Sequence, residues 1–259
     1  MSNSTVKQAV QAQFAGSAEA YVTSTVHANK PDLQQMVALA ELRSDERVLD
    51  IATGGGHAAL AFAPHVQDVV ATDLTPAMLA AAERFIRGRN VHNVRFEVAD
   101  AEALPFPDNH FDVVTCRVAP HHFPDVQQFV REVARVLRSG GRFVLVDTIA
   151  PATPTLDSFI NAIERLRDPT HVREYTEAEW RALCADAALT AVHTETFTKR
   201  LPFDDWCRRA RVSSEVQAEL SERLRSASPE AYSVFGIETH HEQVVSFVLY
   251  SVLLVARKL

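Results

Sequence analysis

Cysteine is scarce: the 259 residues include three, Cys116, Cys184 and Cys207, with no Cys-x-x-Cys pair. An odd, widely spaced set argues against a disulfide framework and a thiolate zinc site, and suits a reducing cytoplasm. Concentrated positive charge is also missing. The formal net charge is −7, and the densest basic cluster, Arg208, Arg209 and Arg211, reads as a solvated helix face. Nucleic acid is therefore not an expected partner, because phosphate binding needs grouped Lys and Arg. No apolar run approaches the ~18 residues of a membrane span. The opening MSNSTVKQAVQAQ lacks the apolar core of a signal peptide. These absences predict a cytoplasmic protein with no membrane span. There is no Gly-Lys-Ser/Thr phosphate loop and no His-Glu-x-x-His spacing. The pairs His121-His122 and His240-His241 are adjacent, so their side chains diverge, and no metal is expected.

What is present is a core. Apolar residues make up 47% of the chain, too many for disorder. Strand-like runs at 47–52, 68–73, 94–100, 111–117 and 142–148 alternate with helical patterns at 31–42, 56–64, 75–88 and 125–141. That rhythm predicts a parallel, doubly wound α/β sheet. The helix at 125–141 is expected to stop on Gly140-Gly141. The rhythm breaks at 150–175, which holds three prolines. It resumes with a helix at 176–189, opened by the capping box Thr176 to Glu179, a strand at 190–198, short helices over 202–235, and a long β-rich run at 244–258. We expect one domain over 1–259, with a core at 43–149 and insertions at 150–175 and 200–240 covering the open edge of the sheet.

The core carries a pattern of acids. The segment VLDIATGGGHAAL, 48–60, ends a strand on Asp50 and continues through Gly54, Gly55 and Gly56. In open parallel sheets, ligands lie outside the carboxyl ends of the strands. The next two strands also end in acids, Asp73 and Asp100. Asp73 follows Asp50 by 23 residues, near the spacing at which a carboxylate grips a ribose diol. Gly-rich turns and strand-end acids also serve packing and capping, but three acids on successive strand ends point to a ligand. Gly54-x-Gly56-x-x-Ala59 also fits a dinucleotide loop. However, an acid ahead of the glycines repels a diphosphate and suits a ligand carrying an ammonium and a sulfonium.

The segments VLDIATGGGHAAL, VVATDLTPAMLAAA, VRFEVADAEALPFPDNHFDVVTCRVAPHHFPD and REVARVLRSGGRFVLVD resemble class I S-adenosylmethionine (SAM)-dependent methyltransferases. The likeness is to the branch with a methyltransferase type 11 domain, similar to the UbiE and YcgJ types. HVREYTEAEW and QFAGSAEAYVTSTVHA extend it over most of the chain. The resemblance implies a Rossmann-like sheet of seven strands, six parallel and one antiparallel, with helical lid insertions. It implies N-terminal helices within 1–42 closing over the cofactor, and SAM as methyl donor leaving S-adenosyl-L-homocysteine. Asp50, Ala52, Thr53, Gly54 and Gly56 would cradle the amino-acid end. Asp73 would hold the ribose, Leu74 pack beside the adenine, Asp100 take its amino group and the Ala101 N–H meet a ring nitrogen. Arg117 would offer backbone atoms to the methionine moiety, and Tyr21 would close over its carboxylate. One departure stands out: the family usually has glycine where this chain has Ala52.

Methyl transfer from a sulfonium needs positioning and exclusion of water, and a base when the acceptor is a hydroxyl or acidic carbon. Histidine titrates near neutrality, so His122, His121 and His27 are the candidate catalytic residues, with His122 first because the His-His-Phe segment matches the family's loop. The expected acceptor is a small, hydrophobic molecule. Trp180, Trp206, Phe197, Phe203 and Phe235 suit either its pocket or a core. Asp168, His171, Arg173 and Glu174 are read as a solvated charge run with a possible substrate-facing role. A SAM-binding protein that does not methylate, a sensor or partner subunit, is the alternative.

Overall fold

The computed structural model describes residues 2–16, 18–23 and 31–259, without the side chains of residues 20, 21 and 23. Eight strands form one sheet in the order β3-β2-β1-β4-β5-β8-β6, with β7 paired to β8. The strands are β1 (Arg47–Ile51), β2 (Asp68–Asp73), β3 (Val94–Val98), β4 (Phe111–Arg117), β5 (Leu137–Ile149), β6 (Leu189–Pro202), β7 (Glu238–His240) and β8 (Gln243–Lys258). β1 pairs in parallel with β2 and β4, β2 with β3, and β4 with β5. Strand order reverses beside β1, so the loops after β1 and β4 open at the switch point where ligands settle. One strand exceeds the seven expected: the three-residue β7, antiparallel to β8.

The chain divides into two compact units. The first takes residues 1–147, 181–195 and 253–259. Its central strands are built from Val, Leu and Ile because both faces are covered; Val48, Leu49, Val113 and Val114 are wholly buried. Its helices include α1 (Asn3–Ala15), α2 (Ala18–Thr23), α3 (Pro31–Leu39), α4 (His57–Phe62), α5 (Pro76–Arg87) and α6 (Val126–Val136). Pro76 sits in the first turn of α5, where its missing N–H costs nothing. Asp125 caps α6 by accepting from the Gln128 N–H at 2.9 Å.

α6 ends at Val136, not at the glycines. Leu137 is already extended and opens β5. The α6 carbonyls of Arg135 and Val136 accept from the Asn109 and His110 N–H groups, so no glycine cap is needed. Gly140 (φ +77°) and Gly141 instead serve a bulge: Phe111 pairs with Leu137 but Val113 with Arg142. A Cβ on Gly141 would lie 2.8 Å from the Arg138 carbonyl.

The second unit takes residues 148–180 and 196–252. Its helices are α7 (Pro154–Arg167), α9 (Phe203–Ala210), α10 (Ser214–Arg225) and α11 (Pro229–Val234); α8 (Glu177–Asp186) begins in this unit and ends in the first. The α7 helix lies where the prolines predict a break. Pro154 stands in its first turn and Pro169 just beyond its end, so two of the three prolines bracket a helix. The capping box opens α8 as expected: Glu179 N–H donates to Thr176 Oγ1 (3.2 Å) and Thr176 N–H to Glu179 Oε2 (2.7 Å). Trp206, Phe203 and Phe235 are buried in one core with Phe247, Ile160 and Leu220, Trp180 is fully buried, and Phe197 is half-buried.

The polar run in this unit is not solvated. Asp168, His171 and Glu174 are buried. Asn161 Oδ1 lies 3.1 Å from His171 Nε2 and accepts the Glu174 N–H at 2.7 Å. Arg173 pairs with Asp157 and Glu179. No helix among the described residues is long and apolar enough to cross a membrane. All three cysteines are free and buried.

Candidate active site

The glycine segment turns sharply out of β1. Thr53 N–H donates to the Thr72 carbonyl of β2 at 2.8 Å, pinning the turn to the sheet. Three residues adopt left-handed backbone: Ala52 (φ +53°), Gly54 (φ +55°) and Gly56 (φ +81°). At Gly56 packing adds a second demand, since a Cβ would meet Ile86 Cδ1 at 3.0 Å and Ala82 Cβ at 3.1 Å, both on α5. Ala52 has the conformation in which the family's usual glycine is free of strain. The departure at this position is therefore a backbone cost, on the order of 1 kcal/mol.

Asp50 lies behind this turn. Its Oδ2 accepts the Thr53 hydroxyl at 2.5 Å and the Ala59 N–H of α4 at 3.1 Å. The sequence reading sets this carboxylate against a ligand's cationic end. The structure commits one oxygen to the loop itself, at 1% exposure. Burial pushes the carboxyl up to about 7; the Thr53 and Ala59 bonds and the Arg117 charge pull it down, and Asp73 pushes it up.

Asp73 ends β2. Its Oδ2 accepts the Gly54 N–H at 3.0 Å and its Oδ1 the Thr75 N–H at 2.8 Å. Burial raises its pKa despite these bonds. These bonds, together with one from the Thr75 hydroxyl, fix the carboxylate in one orientation at the lip of the glycine turn.

Asp100 follows β3, ahead of the buried Ala101. Its Oδ1 accepts the Glu102 N–H at 3.0 Å, and its Oδ2 lies 2.6 Å from Lys7 Nζ. Lys7 also lies 2.6 Å from Glu102 Oε2. Four residues along α1, Gln11 Nε2 donates to the Leu74 carbonyl at 2.8 Å. The α1 helix thus crosses the ends of β2 and β3. Phe14 of α1 meets the His122 ring edge-on, with centroids 5.2 Å apart.

After β4 the chain turns left-handed at Val118 (φ +54°), whose N–H donates to Val146, and enters a single 3₁₀ turn over Pro120–His122. His121 Nδ1 lies 2.7 Å from Asp147 Oδ1, and the His121 N–H donates to Asp147 Oδ2 at 2.9 Å. Asp147 is 1% exposed. A buried carboxylate facing Nδ1 favours the ring proton on that nitrogen. His122 packs its ring 4.3 Å from that of His121. Of the two adjacent histidines, His121 is thus the one held by a carboxylate, and His122 stands against Phe14 and His121. His27 and the Tyr21 side chain lie outside the described residues.

Arg117 ends β4 with its side chain 7% exposed and paired with Asp32 of α3. Lys7, Gln11, Asp32 and Asp147 were not singled out from the sequence. Asp147 was within reach, because it lies near the carboxyl end of the strand-like run 142–148, as Asp50, Asp73 and Asp100 lie near the ends of theirs. No cluster of three or more His, Cys, Asp or Glu suited to a metal occurs among the described residues.

This architecture has known counterparts. Residues 49–145 match the family model described as a methyltransferase domain. The chain is 43% identical over 242 residues to the uncharacterized methyltransferase YcgJ of Bacillus subtilis, covering 93% of this chain and 96% of that protein. The crystal structure of YcgJ superposes with a TM-score of 0.86 over 88% of this chain and 97% of the other. A demethylmenaquinone methyltransferase of Thermus thermophilus is 41% identical over 120 residues, 46% of this chain and 54% of that protein.

Proposed function

The chain belongs to the SAM-dependent methyltransferase family, and we propose that it methylates a small, apolar acceptor through an ionisable hydroxyl or carbon, with His121 as base. The observation that carries this reading is the doubly bound His121–Asp147 pair beside the switch point of the sheet.

The residues present fit the donor. The left-handed turn at Ala52, Gly54 and Gly56 brings bare backbone to the mouth of β1 and β4. Asp73, fixed by Gly54 and Thr75, would accept from the ribose, and Asp100, one strand further out, would take the adenine amino group. Leu74 would pack beside the ring and the Ala101 backbone N–H would meet a ring nitrogen. Two carboxylates at this mouth disfavour a diphosphate. SAM, when bound, supplies a methyl group already activated on its sulfonium.

The protein then needs to orient the acceptor, exclude water and receive one proton. Asp147 keeps Nδ1 protonated, so His121 Nε2 takes the proton of the acceptor as its oxygen or carbon receives the methyl group. S-adenosyl-L-homocysteine is left, and the proton leaves from His121 to solvent. Support for an apolar acceptor comes from the relative named demethylmenaquinone methyltransferase, matched over about half of each chain.

The test is incubation with labelled SAM and a panel of phenols, quinols, thiols and halides. Label in a phenol or quinol supports the reading. Transfer only to halide, which has no proton to lose, removes the base. NADH binding tighter than SAM binding in calorimetry overturns the donor.

A further inference from the structure

The helix α1 buries none of its residues fully. A helix that serves only the fold presents an apolar stripe to a core. On α1 the inward stripe is instead Lys7, Gln11 and Phe14, spaced i, i+4 and i+7. Each lands on the segment after a different strand. Lys7 reaches Asp100 and Glu102 after β3, Gln11 the Leu74 carbonyl after β2, and Phe14 the His122 ring after β4.

The third of these contacts bears on His121. Asp147 holds that ring at Nδ1. One hydrogen bond there leaves the ring free to tilt about the bond, and tilting swings Nε2. The His122 ring packs against it, with centroids 4.3 Å apart and planes at 46°. Phe14 meets His122 in turn at 79°. Phe14 is itself half-buried against Ala18, Met78 and Ala81, so α2 and α5 back its ring. Further along, the Asp125 N–H donates to Glu102 Oε1 at 2.7 Å, and Glu102 is also held by Lys7. Thus α1 braces the segment 121–125 at both ends, by an aromatic contact at one and through a carboxylate at the other.

We propose that Phe14 is a positioning residue for methyl transfer, acting through His122 to hold the His121 ring at the angle that presents Nε2 to the acceptor. This rests on His121 as base and adds what orients its ring besides Asp147. A displacement of about 1 Å at a reacting group is enough to slow a reaction severely, so a ring two contacts away from the proton can still govern the rate.

The test is single-turnover transfer of label from SAM to a phenol or quinol, with SAM affinity read by calorimetry. It compares the wild type with Phe14→Leu, Phe14→Tyr, Asp147→Asn and the double variant of Phe14→Leu with Asp147→Asn. Leucine keeps an apolar group on Met78 and Ala81 and removes the ring edge; tyrosine keeps the ring. Phe14→Leu should lower the saturating rate about 3- to 10-fold, as for loss of one edge-to-face pair. KM for the acceptor and SAM affinity should stay within about twofold, and Phe14→Tyr should restore most of the rate. In the Asp147→Asn background the leucine should cost less than about twofold more, because both changes act on one ring. An unchanged rate in Phe14→Leu overturns the proposal. So does a loss that tyrosine does not restore, a loss that appears in KM or SAM affinity instead of the rate, or an equal loss in both backgrounds. An unaltered rate in Asp147→Asn, or no transfer to any phenol or quinol, removes His121 as base and the proposal with it. Thermal melting verifies that each variant is folded.

Discussion

Asp147 holds His121 twice, through the ring at 2.7 Å and through the backbone N–H at 2.9 Å. Both contacts come from one carboxylate two residues before the end of β5, so ring and main chain are fixed together. Asp147→Asn keeps the shape but offers an amide N–H to Nδ1. That reverses the tautomer and leaves Nε2 protonated, unable to accept. We expect kcat to fall by about 10²- to 10⁴-fold, with KM for the acceptor and SAM affinity nearly unchanged. Single-turnover methyl transfer alongside SAM calorimetry checks this. A variant with unaltered kcat would reduce the pair to a structural role.

Asp50 makes stability depend on pH in an unusual direction. Its pKa is raised from 3.8 to about 7 in the folded chain, first of all by burial. Between these values the folded state holds a proton that the unfolded state has lost. This residue's contribution therefore weakens as pH rises from about 4 to about 7, and levels off above. Asp50→Asn, which keeps an acceptor for Thr53 or Ala59, removes the effect. The wild type should lose about 2 kcal/mol relative to the variant between pH 5 and pH 8, read from urea midpoints. A constant difference across that range would show that Asp50 is ionised throughout.

Much of this was legible in the sequence, and the limits have physical causes. β2 and β4 were read to the residue, because buried parallel strands are unbroken apolar runs ended by polar residues. Gly140-Gly141 misled because glycine marks a helix stop and a strand bulge equally well. The prolines around α7 misled because proline breaks a helix interior yet favours its first turn. The pairs that complete the site join distant positions: Lys7 with Asp100, Arg117 with Asp32, His121 with Asp147. No local periodicity encodes which acid a given cation will meet. The strand-end acids could be grouped from the sequence because topology alone gathers them.

Two backbone positions should answer oppositely to the same kind of change. Ala52→Gly relieves a left-handed alanine, offset by the entropy glycine adds to the unfolded chain. The expected net gain is up to about 1 kcal/mol. Gly56→Ala adds a methyl at φ +81° within about 3 Å of Ile86 and Ala82 on α5, and should cost about 1–3 kcal/mol. Denaturant unfolding of both variants decides it; equal effects of the same sign would contradict the geometry.

Lys7 ties α1 to the core by two carboxylates, Asp100 and Glu102, each at 2.6 Å. Burial lowers its pKa, but the paired charges outweigh this and the net shift is upward. The helix has further attachments, Gln11 to the Leu74 carbonyl and Phe14 against His122. Losing Lys7 should therefore loosen α1 without releasing it. In Lys7→Met, amide hydrogens of residues 3–15 should exchange about 5- to 10-fold faster, as for loss of roughly 1 kcal/mol of docking. Lys7→Arg should restore protection, and raised salt should mimic the methionine variant in the wild type. Freed of its lysine, the Asp100 oxygen has one fewer competitor for an adenine amino group, so SAM affinity should hold or rise while α1 protection falls. Both quantities falling together would mean that α1 contributes more to holding the nucleoside than Lys7 takes away by occupying Asp100.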